Sequence, residues 1–197
     1  EMQSGGGGND YAEDVATDKN DSFVLSGYFN GGQPVSDLSL QKMPGHKEEA
    51  YLARLNLTTG AVIWAKAFGG TEHDRAMAVA ASSRNATKEI EIAPFVAVAG
   101  YFRSPTFSAP YSNGPAELSS DPSMQRVLLN SFQGNRTWLN LAPASVYQDA
   151  FVMKLSAENG TLLWAKAFSG LNSNGDPYGT KEDIDGVAID DESGDVF

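Results

Sequence analysis

The 197-residue chain carries 25 acidic against 14 basic residues, a formal net charge of −11, with 41% hydrophobic residues. That balance argues against nucleic acid or an anionic membrane surface as partner, since both are recognised by clustered Lys and Arg; solubility accounts for it, with calcium binding as the lesser alternative. The absence of Cys excludes disulfides, thiolate zinc sites and cysteine nucleophiles, and no apolar run approaches the roughly 18 residues that cross a bilayer.

In chain order, the Gly5–Gly8 run leads into a first strand (a) around 12–17 and a second (b) at 22–29 with the sequence Ser-Phe-Val-Leu-Ser-Gly27-Tyr-Phe. A polar connection at 30–49 precedes strand c at 50–56. Thr59-Gly60 then turns the chain into strand d at 61–68, which contains Trp64-Ala-Lys66-Ala-Phe68. The four-strand series then repeats. Strand a falls at 76–82, and strand b at 93–102 carries Gly100-Tyr101-Phe102. After a 103–148 insertion come strand c at 149–156, an Asn159-Gly160 turn, and strand d at 161–168 with the identical Trp164-Ala-Lys166-Ala-Phe168. A third strand a is expected at 184–190, with a stub of b at 195–197. Each segment is rich in β-branched and aromatic residues and bounded by turn residues, which is the strand signature, and Asn-Gly is a strong hairpin signal. In strand d, Trp64, Lys66 and Phe68 alternate with Ala65 and Ala67, as expected of a sheet stacked between other sheets.

The insertion reads as a surface excursion rich in Pro, Ser and Asn; its apolar clusters are Val127-Leu128-Leu129 and Thr137-Trp138-Leu139. A structureless loop of that length is unusual in a compact domain, so it is either a functional insertion or holds short elements of its own.

The unit Asp-Ala-Phe-Val-x-Lys-Leu … Gly-x-Leu-x-Trp-Ala-Lys-x-Phe, followed by Val-x-Val-x-Gly-Tyr-Phe, resembles the SBBP-type β-propeller repeat. More distantly it is similar to the tryptophan-containing repeats of pyrroloquinoline-quinone enzymes. The resemblance covers residues 1–30, 49–102 and 149–197 and implies all-β, four-stranded antiparallel blades around a channel. The organisation expected is a single propeller fragment of about two and a half blades. One blade spans 12–68, a second spans 76–168 around the 103–148 insertion, and a partial blade spans 184–197. An incomplete ring and an unusual Glu1 start imply a piece of a longer polypeptide whose remaining blades, or other subunits, are its partners. In the quinoprotein-like pattern, Trp64 and Trp164 dock one blade against the next.

Chemistry-bearing candidates are few. N-x-S/T sequons stand at Asn20, Asn56, Asn85, Asn135 and Asn159, against about 1.7 expected by chance from this composition, which points to N-linked glycans and an extracellular or cell-surface setting. Asn172, Asn174 and Asp176 alternate in a Gly-containing loop as calcium donors do, but lack an acidic first position and a closing Glu at the usual distance. Arg54, Lys66, Lys154 and Lys166 recur at equal positions and are expected to form structural ion pairs with Asp74 and Glu182. His46 and His73 sit in separate polar stretches, and no nucleophile elbow, zinc-protease motif or phosphate loop is present. No catalytic residue is therefore expected. The reading is a non-enzymatic propeller scaffold of a cell surface, matrix or filamentous appendage; the alternative is a fragment of a quinoprotein dehydrogenase.

Overall fold

Ten strands form in the computed structural model, which describes residues 8–18, 21–31, 38, 40, 45–82, 93–103, 106–111, 127–130, 148–168, 181 and 183–197. They are β1 (Asp10–Thr17), β2 (Ser22–Phe29), β3 (Glu49–Asn56), β4 (Val62–Gly69), β5 (Asp74–Ala81), β6 (Phe95–Phe102), β7 (Thr106–Tyr111), β8 (Val127–Asn130), β9 (Asp149–Ser156) and β10 (Leu162–Phe168). The protein is all-β. Two antiparallel four-stranded meanders, β1-β2-β3-β4 and β5-β6-β9-β10, correspond to the two a–b–c–d series of the sequence.

The two meanders match down to their irregularities. Gly27 faces Tyr51 in one, and Gly100 faces Phe151 in the other. Arg54 faces Trp64, and Lys154 faces Trp164. Bulges interrupt the a–b ladder between Ala12 and Asp14 and again between Ala76 and Ala78. The bulge explains the glycine of the Gly-Tyr-Phe motif, because it presses a carbonyl toward strand b. A Cβ on Gly27 would run into the Tyr11 carbonyl oxygen and sit 2.8 Å from Tyr51 Cε1; on Gly100 it would run into the Arg75 carbonyl.

The c–d turns differ in detail from a two-residue hairpin. Asn56 N–H donates to the Ala61 carbonyl and Gly60 N–H to the Asn56 carbonyl, both at 2.9 Å, giving a four-residue loop that ends on the glycine. The second turn repeats this through Ser156 and Gly160. Gly60 and Gly160 adopt φ of 70° and 71°, the left-handed region that favours glycine.

The meanders pack face to face. Val24, Ala50, Leu52, Trp64 and Phe68 of the first meet Val96, Val98, Phe102, Phe151, Met153 and Leu155 of the second in one apolar cluster. Phe68 meets Phe151 edge to face at 6.0 Å, and burial of such a ring stabilises by about 2–3 kcal/mol. The opposite face of the first sheet is also buried: Phe29, Tyr51, Ala53, Leu55, Ala65 and Ala67 lie with Leu38 and Leu40 of the 30–49 connection. The alternation in strand d thus places large residues toward the neighbouring sheet and alanines on the other face.

One expectation is met, since the insertion holds short elements of its own, and one changes. The 103–148 insertion contributes β7 and β8, which do not join their own sheet. The hairpin crosses to the outer edge of the first sheet, where β7 pairs with β4 (Ala67 with Tyr111, Gly69 with Ser108) and widens it to six strands. The partner edge was free to accept it because strand d is outermost in each meander. In the third series, 184–190 and 195–197 form only a bridge between Ile189 and Val196, beside paired hydrogen bonds joining Ala188 and Phe197. Asp183, Asp185 and Gly186, residue types depleted in strands, stand in that stretch.

Candidate interaction surface

Charged and aromatic side chains of both sheets, the first copies of the repeat residues Arg54 and Trp64 among them, converge on the seam between the sheets. Arg54, projecting from β3, donates through Nη2 to Asp18 Oδ2 at 2.6 Å, through Nε to Ser22 Oγ at 2.7 Å, and through Nη1 to the Ala157 carbonyl of the opposite sheet at 2.7 Å. Trp64 Nε1 donates to the same carbonyl at 2.9 Å. One backbone acceptor in the c–d turn of the second sheet therefore binds two side chains of the first. The turn approaches so closely that a Cβ on Gly160 would lie 3.0 Å from Trp64 Cε3. Arg54 is paired with Asp18 rather than with the expected Asp74, since Asp18 ends strand a on Arg54's own sheet. Asp74 instead accepts the backbone N–H groups of Gly70 (2.6 Å) and Arg103 (3.0 Å), holding the d–a connection in place. Glu182 lies outside the described residues.

A second junction lies at the other end of the strands. Arg75, the second residue of β5, donates to both Glu48 carboxylate oxygens at 2.8 and 3.2 Å, and His73 Nδ1 lies 3.0 Å from Glu48 Oε2. The Arg75 guanidinium stacks 3.9 Å above the Tyr28 ring of the first sheet and lies 5.9 Å from the Tyr101 ring of its own. Burial pushes the Glu48 carboxyl up, but hydrogen bonds from Arg75 and His73 outweigh it and hold the group below its ordinary value. Burial raises the Tyr28 and Tyr101 hydroxyls, opposed by Arg75, and pushes Tyr51 to about 12, so all three rings remain neutral and apolar toward their neighbours at neutral pH. His46 and His73 occupy parallel roles, His46 Nδ1 lying 2.8 Å from Glu49 Oε1. Between the two junctions, Asp14 Oδ2 accepts the Val79 N–H at 2.9 Å and ties the two strands a together.

The second sheet shows what this seam looks like when only partly covered. Lys154, the counterpart of Arg54, donates to the Gly194 carbonyl at 3.0 Å and lies 3.6 Å from the Phe95 ring centroid. Gln148 bridges Lys181 as Glu48 bridges His73. Residues 183–197 thus lie against the face of the second sheet that corresponds to the docked face of the first. On β10, however, Trp164 and Phe168 are 37% and 51% exposed, with Lys166 exposed between them.

The predicted sites distribute unevenly over the described residues. Asn56 and Asn159 both stand at c–d turns. Asn56 Oδ1 accepts from the Thr58 and Thr59 backbones and the Thr59 hydroxyl, and Asn159, exposed, accepts from the Thr161 N–H at 3.0 Å and from its hydroxyl. Asn20, Asn85, Asn135 and the Asn172, Asn174, Asp176 loop lie outside the described residues. Among the described residues, no group of three or more His, Asp or Glu side chains is placed to hold a metal ion, and no helix is long and apolar enough to cross a membrane. Sequence reasoning passed over Asp18, Glu48 and Arg75. The one signal available was the Gly-Tyr-Phe motif, whose Tyr28 and Tyr101 flank Arg75.

No protein-family model matches the chain, and no curated protein matches it.

Proposed function

We propose that this protein is a non-enzymatic extracellular scaffold, built of β-propeller-type blades and glycosylated on its turns. One observation carries the reading: the buried and half-buried polar and aromatic side chains along the seam are engaged in joining sheets. Arg54 and Trp64 share the Ala157 carbonyl, and Glu48 and Arg75 bind each other across the same seam. A catalytic constellation would instead gather such groups around an opening. The threefold excess of sequons over chance supports the extracellular setting, and Asn159 stands exposed in the c–d turn. Other blades or subunits are the partners that such a scaffold would join.

The test is the intact mass of protein secreted from a eukaryotic host, measured before and after N-glycosidase treatment. A loss of mass matching one or more glycans is expected, and Asn159→Gln should remove part of it. An unchanged mass would sink the extracellular glycoprotein reading. Saturable binding of pyrroloquinoline quinone with calcium would turn the reading to the quinoprotein alternative.

A further inference from the structure

We propose that the outer edges of β8 and β10 are the two halves of a self-association contact, in which β8 of one copy of this chain pairs with β10 of the next. The two sheets, of order β1-β2-β3-β4-β7-β8 and β10-β9-β6-β5, leave four strands with one edge unpaired among the described residues. An unpaired edge presents free backbone N–H and C=O groups, and proteins blunt it with charge, bulges or a covering segment. The two inner edges are blunted. β1 carries Asp10, Glu13 and Asp14 within eight residues, and Asp14 Oδ2 binds the Val79 N–H of β5, so these edges lie against each other. The two outer edges have little such protection. β8 is Val127-Leu128-Leu129-Asn130, with no charge, and β10 has Lys166 as its one charged residue.

The first sheet shows that one lysine does not keep a strand away. β4 has the same Trp-Ala-Lys-Ala-Phe sequence, the same lysine at Lys66 and the same interruption beside its Trp, yet β7 pairs with its outer edge. The outer edge of β10 therefore has the chemistry to accept a strand. Within one chain β8 comes close to β10 but does not pair with it. It belongs to the other layer, and stacked sheets stand about 10 Å apart, about twice the spacing of paired strands. A second copy has no such constraint. Joining its β8 to β10 satisfies both edges in one ladder and runs the six-stranded sheet of one copy into the four-stranded sheet of the next. The contact is heterologous, because different edges meet. Each pair therefore leaves one β8 and one β10 open, and association continues past two copies.

The test is sedimentation velocity on the full chain over rising concentration. The weight-average mass should climb past that of two copies without levelling there. A lysine placed in β8 (Leu129→Lys) and a proline placed in β10 (Leu163→Pro) should each hold the chain as a monomer. Leu163 is exposed and falls outside the register of the ladder with β9, so proline there spares the fold. Val127→Lys and Leu163→Asp replace these variants where near-ultraviolet circular dichroism departs from the parent's. Mixed together, the two monomeric variants should form a dimer and nothing larger, since each retains the edge that the other lacks. A parent chain that stays monomeric overturns the proposal. So does association that survives either single replacement, which assigns the contact to a sheet face or to two copies of one edge. A mixture that stays monomeric although both variants are folded overturns it as well. The proposal rests on strand edges and not on the scaffold reading, so a protein free of glycan leaves the sedimentation result intact.

Discussion

The two Trp-Ala-Lys-Ala-Phe strands are chemically identical and live in different surroundings. In β4 the Trp and Phe are sealed under the second sheet, and the indole N–H has an acceptor at 2.9 Å. In β10 the same side chains stand 37% and 51% exposed. The two strands match in their ladder to strand c, for Arg54 faces Trp64 just as Lys154 faces Trp164, and each c–d ladder is interrupted beside its Trp. The comparison separates two things that a repeat motif encodes. Alternation and turn chemistry make the hairpin, while the energetic value of its large side chains depends on what packs over them.

The largest expected effect breaks this comparison at the aromatic ring. Phe68→Ala should cost about 4 kcal/mol in denaturant unfolding, because it empties a fully buried site between sheets, whereas Phe168→Ala should cost under about 1 kcal/mol. Equal losses at both positions would mean that something covers β10 in solution.

The next effect lies at the matched cations. Arg54→Met should cost about 3 kcal/mol, since it takes the guanidinium from a buried Asp18 carboxylate that keeps only neutral donors such as Ser22, while Lys154→Met, which loses a bond to the Gly194 carbonyl and a contact with the Phe95 ring, should cost about 1 kcal/mol or less. A double-mutant cycle of Arg54→Met with Asp18→Asn checks the origin of the larger loss, which should shrink once the carboxylate has been replaced by the neutral amide.

The smallest effect sharpens the comparison by pH. Glu48 titrates, and Gln148 at the equivalent place does not. The folded-state pKa of Glu48 lies below its ordinary 4.5, so its contribution to stability is complete above about pH 4.5 and is lost as pH falls through the lowered folded value. Unfolding followed from pH 6 to pH 3 should therefore show an acid-dependent loss that Glu48→Gln reduces. An unchanged pH slope in that variant would remove Glu48 from the acid response.

Strand order within each meander was legible in the chain because it depends on short-range signals. Alternation at Trp64-Ala65-Lys66-Ala67-Phe68, the left-handed glycines at 60 and 160, and the two Gly-Tyr-Phe motifs all act within a few residues or across one hairpin. The candidate surface was legible only in part. Trp64 and Trp164 stood out, but the partner of Arg54 did not, because Asp18 is 36 residues away and Ala157 contributes a backbone carbonyl that carries no sequence signature. The insertion was opaque for a related reason. Val127–Asn130 is a short apolar run that could pair with any open edge, and its pairing partner β7 is recruited to β4, in a different sheet.

By itself, then, the sequence determined an all-β chain, four strands to a series, where each strand turns, and which side chains share a face. Those properties follow from the two-residue period of a strand and from the φ values open to glycine. The tertiary structure alone decided that the two series stack, that the insertion of the second widens the first, and that one copy of an identical pentapeptide is core while the other is surface. Burial is a property of what lies opposite a residue, and opposite faces are brought together by chain segments too distant in sequence for any local pattern to specify.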